Sequence, residues 1–87
     1  MKYYVYILEC ADGTLYTGAT QGSLEDRVRK HNHTKAGAKY TRARRPVILK
    51  YSEEFDSLAG ARAREAEIKR LKKPAKQDLV KNGMPQP

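Results

Sequence analysis

Tyr3-Tyr4-Val5-Tyr6-Ile7-Leu8, followed after Asp12-Gly13 by Thr14-Leu15-Tyr16-Thr17-Gly18, is the stretch whose reading decides the fold. Its first run is β-branched and aromatic on both alternating faces, which suits a central strand covered on each side. Asp12-Gly13 supplies a turn and the second run returns antiparallel, so the chain opens on a hairpin. The register of that hairpin decides whether Tyr6 and Tyr16 meet. A two-residue turn pairs Leu8 with Thr17 and sends the two phenols to opposite faces. A three-residue loop with Gly13 in the left-handed bulge position pairs Leu8 with Tyr16 and puts both on one face. The second register is expected, although strand tyrosines ordinarily serve packing.

Outward from the hairpin, Ser23 followed by Asp26 has the form of a capping box and predicts a helix over residues 24–32. Residues 33–45 contain Gly37, scattered alanines and no sustained period; they read as a basic loop with at most one helical turn, closed by Pro46. Val47-Ile48-Leu49 with Tyr51 reads as a third strand, and Ser57 starts a long helix over residues 58–73. Pro74 suits the first turn of a short final helix over residues 75–80, and a frayed tail begins near Asn82 and takes in residues 83–87. The expectation is one domain over residues 1–82, in the α/β (α+β) class: a small three-stranded antiparallel sheet flanked by helices, in the order β-β-α-β-α-α.

A chain of 87 residues buries only about 60–65% of the surface its unfolded form exposes, so one thin core is its limit. Cys10 is the single cysteine, which excludes an internal disulfide and a cysteine-built zinc site and points to a reducing compartment, the cytoplasm. The apolar run from Tyr3 to Leu8 is far short of the roughly 20 residues a membrane span needs, and no leader pattern is present; neither export nor insertion is expected.

Charge narrows the partner. Lys and Arg number 18 against 10 Asp and Glu, a formal net charge of +8, which favours polyanions and nucleic acid first among them. The excess is concentrated: Arg27, Arg29, Lys30, Lys35, Lys39, Arg42, Arg44, Arg45 and Lys50 fall in one stretch without an acid. A merely solvated surface would mix the signs, whereas a phosphate track concentrates one of them. Tyr40, set among these cations, either stacks on a base, packs against an arginine or anchors the loop.

Two helical features carry chemistry. Glu65 shares a helix face with Leu58, Ala61 and Ile68, so its carboxylate turns toward the core, whereas Glu67 projects away. A carboxylate on an apolar stripe requires a specific partner, either a structural ion pair with an arginine or a metal ion. Arg27 and His31 are spaced i, i+4 near Leu24 and Val28 and reach one cleft. Arginine suits a phosphate because its planar fork stays charged, and histidine exchanges a proton near neutral pH. His33 lies beyond the predicted helix and receives no role.

Tyr4-Val5-Tyr6 and Tyr16-Thr17-Gly18 resemble the paired elements that name the GIY-YIG nucleases, with Arg27 nine residues after Gly18 and Glu65 on a later helix. The resemblance covers roughly residues 2 to 75. It is nearest to the small stand-alone bacterial proteins of that superfamily, given His31-Asn32, the segment from Gly37 to Arg42, Arg45-Pro46 before the third strand, and Glu65 followed by Ile68-Lys69. Tyr4 replaces a glycine and Thr17 an isoleucine, and of the asparagine some family enzymes use after the glutamate only Asn82 is a counterpart in position, with no role carried over.

The resemblance implies a GIY-YIG-like fold and a metal-dependent endonuclease that hydrolyses DNA phosphodiester bonds, in repair or recombination. It implies that Glu65 holds Mg²⁺ or Mn²⁺, that Arg27 stabilises charge on the phosphate, and that Tyr6 helps activate the attacking water as general base, with Tyr16 hydrogen-bonding beside it and His31 relaying the proton. A free phenol titrates near 10, so for Tyr6 to act as base the nearby cations must lower that value; whether Tyr6 or His31 takes the proton stays open. Arg29, Lys30, Lys35, Lys39, Tyr40, Arg42, Arg44 and Arg45 are the expected nucleic-acid contacts, on branched or nicked DNA. Larger relatives attach a DNA-recognition domain that this chain lacks, so tight or sequence-specific binding by the chain itself is not expected; a monomer is expected, with a partner protein supplying specificity. The rival readings are a non-catalytic nucleic-acid-binding module, for instance a repair-complex subunit, and a protein-interaction adaptor whose charge serves solubility.

Overall fold

Tyr6 and Tyr16 are brought to one face of the sheet by the loop that joins their strands. The computed structural model describes residues 2–34 and 39–82. Strands β1 (Tyr3–Glu9) and β2 (Leu15–Gln21) pair antiparallel with Leu8 opposite Tyr16 and Tyr6 opposite Gly18. This is the three-residue-loop register: Cys10 N–H donates to the Thr14 carbonyl at 2.8 Å, and Gly13 sits at φ 84°, a left-handed conformation that glycine adopts without cost. Asp12 fixes the loop by accepting from the Thr14 amide at 3.1 Å and its hydroxyl at 2.6 Å.

The remaining elements are α1 (Leu24–His33), α2 (Lys39–Arg42), β3 (Ile48–Phe55), α3 (Leu58–Arg70) and α4 (Lys73–Asn82). β3 pairs antiparallel with β1 on its other edge, giving the strand order β2-β1-β3 with the apolar first strand in the centre. This is the three-stranded, helix-flanked arrangement in the order expected. Under α3 and α4, Val5, Ile7, Tyr51, Ala61 and Ile68 form one buried layer. On the α1 side, Tyr6, Leu8, Cys10 and Val47 form the other, with Tyr16, Leu24, Val28 and Leu49 packed against them. Val5, Ile7, Leu8 and Ile68 are fully buried, each side chain contributing about 1.5–3 kcal/mol.

The caps fall where serines predicted them: Ser23 accepts from the Asp26 amide and Ser57 from the Gly60 amide, both at 3.1 Å. Several boundaries differ from expectation, and α1 runs one residue further than predicted, taking in His33. β3 runs on through Ser52, Glu53 and Glu54, because Arg64 of α3 takes the Glu53 carboxylate and Lys2 takes Glu54. α3 ends at Arg70 rather than 73, since a helix continuing into Pro74 would lose a hydrogen bond and clash with its preceding turn; Leu71 turns extended and α4 restarts at Lys73. Asn82 therefore closes α4 instead of opening a tail, and the tail expected over residues 83–87 lies outside the described residues. Leu58, expected on the buried face of α3, is about half exposed. Among the described residues no helix is long and apolar enough to cross a membrane.

Candidate active site

Gly18 directly faces Tyr6, and the missing side chain leaves the space that the phenol occupies beside the edge strand. The Tyr6 hydroxyl lies 2.8 Å from Nε2 of His31, whose other ring nitrogen, Nδ1, lies 2.8 Å from the Thr41 hydroxyl. All three side chains are buried, so β1, α1 and α2 are tied by one polar chain through an apolar layer. Tyr16 sits edge-on to the same imidazole, with ring centroids 5.4 Å apart. The two tyrosines and the histidine are thus brought together.

Two further residues act on the Tyr6 phenol electrostatically. Burial pushes the Tyr6 phenol up, a hydrogen bond from Arg27 opposes that shift, and the charge of Glu65 adds to it. Arg27 therefore bonds the Tyr6 hydroxyl, while Glu65 acts on it through its field from α3. Because the net shift is upward, the cations do not turn Tyr6 into a phenolate near neutral pH, contrary to what a simple tyrosine base requires. His31 moves the opposite way: burial first, then Arg27 and Arg45, lower it to about 4. The imidazole is neutral at pH 7 and has a single N–H to share between Thr41 and Tyr6.

Glu65 is turned inward as its helix face predicts, but its partner is not the arginine expected of a structural pair. Its carboxylate accepts from Lys69 at 3.1 Å, one turn on, with the glutamate side chain only 20% exposed. It lines a hollow of about 310 Å³ with Tyr3, Ala19, Thr20, Gln21, Leu58, Ala61 and Arg62, against β2. Glu67 is exposed and paired with Arg64, which also grips Glu53 and so clamps α3 to β3 one residue before Glu65.

The family model for the GIY-YIG catalytic domain matches residues 2–78. This chain belongs to the GIY-YIG family. It is 54% identical over 80 residues to a UPF0213 protein of Syntrophus aciditrophicus, covering 92% of this chain and 91% of that one. A UPF0213 protein of Staphylococcus saprophyticus is 48% identical, covering 94% and 98%. Among solved structures, the solution NMR structure of a UPF0213 protein from Bacillus halodurans superposes with a TM-score of 0.61 at 44% identity, covering 98% of this chain and 89% of that one. A protein from E. faecalis, also solved by NMR, gives 0.62 at 37% identity, covering 93% and 84%.

Departures of this GIY-YIG chain from the naming motifs have visible consequences. Tyr4, in the glycine position, is half-buried and reaches Glu54 at 3.4 Å. Thr17, in the isoleucine position, buries a hydroxyl that has no hydrogen-bond partner among the described residues.

The basic residues divide. Lys30, Lys39 and Arg42 are exposed on α1 and α2. Arg29 is exposed but paired with Asp26 at 3.3 Å. Arg44 bonds Asp12 at 3.0 Å and lies 3.9 Å over the Tyr40 ring, which also stacks on Tyr16 at 5.8 Å. Tyr40 thus packs against an arginine, one of the three roles its sequence neighbours allowed. Arg45 turns inward, donating to the His31 carbonyl at 2.6 Å and to the Thr34 carbonyl. Lys35, with the segment 35–38, lies outside the described residues.

Two residues with structural parts in the site carried no role in the sequence. Thr41 holds the far side of His31, and Asn32 exchanges two hydrogen bonds with the Val47 backbone, at 3.0 and 2.7 Å, docking α1 on the start of β3. Their only signal was membership of the segments that resemble the family. As to a metal, the described residues bring no three His, Cys, Asp or Glu side chains together. A single carboxylate, largely buried and held by Lys69 beside open space, fits a hard divalent ion that completes its shell with water and phosphate oxygens, and not a closed zinc cage.

Proposed function

We propose that this protein is an endonuclease that hydrolyses phosphodiester bonds in DNA with Mg²⁺ or Mn²⁺. The observation that carries the reading is the buried Tyr6 hydroxyl, bonded to a neutral imidazole and to Arg27 and within the field of Glu65. A buried phenol and a buried imidazole, both with shifted titration and both acted on by a nearby arginine, are what catalytic sites have and what a passive binding surface does not need.

Glu65 would hold the ion, released from Lys69, and the ion when bound would polarise the scissile phosphate. Arg27 stabilises the charge that builds on the phosphate oxygens. With its hydrogen on Nδ1, donated to Thr41, His31 presents the Nε2 lone pair to Tyr6. The attacking water then gives its proton to the Tyr6 oxygen as the Tyr6 proton passes to His31, so no free phenolate is required. The water oxygen bonds to phosphorus, the bond to the leaving sugar oxygen breaks, and that oxygen takes a proton from solvent. Tyr16 packs against the imidazole and fixes its plane.

Incubation of the protein with labelled linear, nicked and branched DNAs plus Mg²⁺ or Mn²⁺, beside Glu65→Ala and Arg27→Ala, tests the proposal. Product from the wild type and none from either variant is expected; wild-type protein that binds DNA and cleaves none of the substrates would leave the non-catalytic module in its place.

A further inference from the structure

The basic run from Arg27 to Lys50 is partly neutralised within the fold, since Arg29, Arg44 and Lys50 face carboxylates and Arg45 faces carbonyls. A second set of cations at the start of α4 is not. Among the described residues no carboxylate lies within ion-pair distance of Lys73 or Lys76. Both line a hollow of about 200 Å³ at the hairpin end of the sheet, with Thr14, Leu15 and Tyr40.

Three relations tie this hollow to the candidate active site. Tyr40, one of its walls, stacks on Tyr16, which in turn touches His31. Lys73 donates to the Gly13 carbonyl at 3.2 Å, which pins α4 to the hairpin loop and leaves two further ammonium protons for a ligand. Leu15 and the Tyr40 ring give an apolar floor beside two ammonium groups without a carboxylate, the combination a sugar-phosphate backbone meets: apolar surface for the sugar, cations for the phosphate.

We propose that the hollow between the hairpin loop and α4 is a second phosphodiester subsite, which binds the strand being cut on one side of the scissile bond through Lys73 and Lys76. This rests on the nuclease reading above. It moves part of the phosphate track from the 27–50 stretch to α4.

The test measures affinity of the full chain for a fluorescein-labelled nicked DNA duplex, in EDTA, across 50 to 200 mM salt. The wild type is compared with Lys73→Gln/Lys76→Gln and with Lys2→Gln/Lys81→Gln, which removes the same charge elsewhere; circular dichroism verifies that both fold. Removing one lysine that neutralises a phosphate lowers the slope of log affinity against log salt by about 0.7–0.9, so the first double variant should lose about 1.5 in slope and the second far less. Equal reductions in both would mean a general effect of net charge, and an unchanged slope in the first would mean that neither lysine meets a phosphate; either overturns the subsite. Wild-type protein with no salt-dependent affinity at all would remove the subsite together with the nuclease reading.

Discussion

A Cβ placed on Gly18 would stand 2.5 Å from the Tyr6 hydroxyl oxygen and 2.7 Å from the adjacent ring carbon. The backbone at Gly18 is not left-handed, so glycine is required there for space alone. The third residue of the second naming motif thus exists to let the tyrosine of the first lie across the edge strand and reach His31.

Gly18→Ala should therefore displace Tyr6 rather than strain the backbone. Overpacking of this kind costs about 1–3 kcal/mol, which urea denaturation would read as a lower midpoint. The His31 ring signals in NMR should shift as the Tyr6 hydroxyl leaves Nε2. Unchanged ring signals would contradict the steric account.

His31 makes folding sensitive to acid. Its folded value, about 4, lies below its unfolded value near 6.5, so the unfolded chain binds the proton first and stability is lost as pH falls from about 6.5 toward 4. The loss from this group should be on the order of 3 kcal/mol, and it should be absent in His31→Gln. Urea midpoints measured from pH 4 to 8 on both proteins give the difference. Parallel pH dependences would show that the imidazole is not held neutral.

Under the proposed hydrolysis, the same two shifts set the pH profile. For free enzyme the acid limb of kcat/KM should fall near pH 4 rather than 6.5, and no basic limb from Tyr6 should appear below about pH 10. An acid limb near 6.5 would mean that His31 titrates as an exposed imidazole.

Thr17→Val should stabilise the protein. The Thr17 hydroxyl is buried with no hydrogen-bond partner among the described residues, a burden of about 1–3 kcal/mol that an apolar group of the same shape removes. A rise in thermal midpoint is expected, and a fall would reveal a partner for the hydroxyl.

Asn32→Ala should do the reverse, since it strands the Val47 amide and carbonyl that Asn32 satisfies. A loss of about 1–3 kcal/mol is expected, with faster amide exchange at Val47. Unchanged exchange there would show that α1 docks on β3 by other means.

The hairpin is legible in the sequence because its determinants are local: an apolar run, a turn glycine and a pairing register that places Tyr6 and Tyr16 together. The caps at Ser23 and Ser57 are legible for the same reason. What stays hidden depends on contacts distant along the chain. Glu53 and Glu54 look like the end of a strand until Arg64 and Lys2 reach them, and Thr41 looks like a loop residue until His31 packs against it. The upward shift of Tyr6 is unreadable because burial, which outweighs Arg27, is a property of the assembled layers. Lys73 and Lys76 do not stand out along the chain, because the long acid-free run from Arg27 to Lys50 dominates the charge pattern and only folding brings α4 to the hairpin loop.

On the proposed mechanism Tyr6, Arg27, His31 and Glu65 act together on one phosphate. The most direct measurement is single-turnover cleavage of a labelled nicked or branched DNA with Mg²⁺ or Mn²⁺, with binding read in the same samples, for wild type, Glu65→Gln and His31→Ala. Both variants should bind as the wild type does, Glu65→Gln should yield no product, and His31→Ala should be slower by about 10²–10⁴-fold. Cleavage by Glu65→Gln at the wild-type rate would contradict the mechanism.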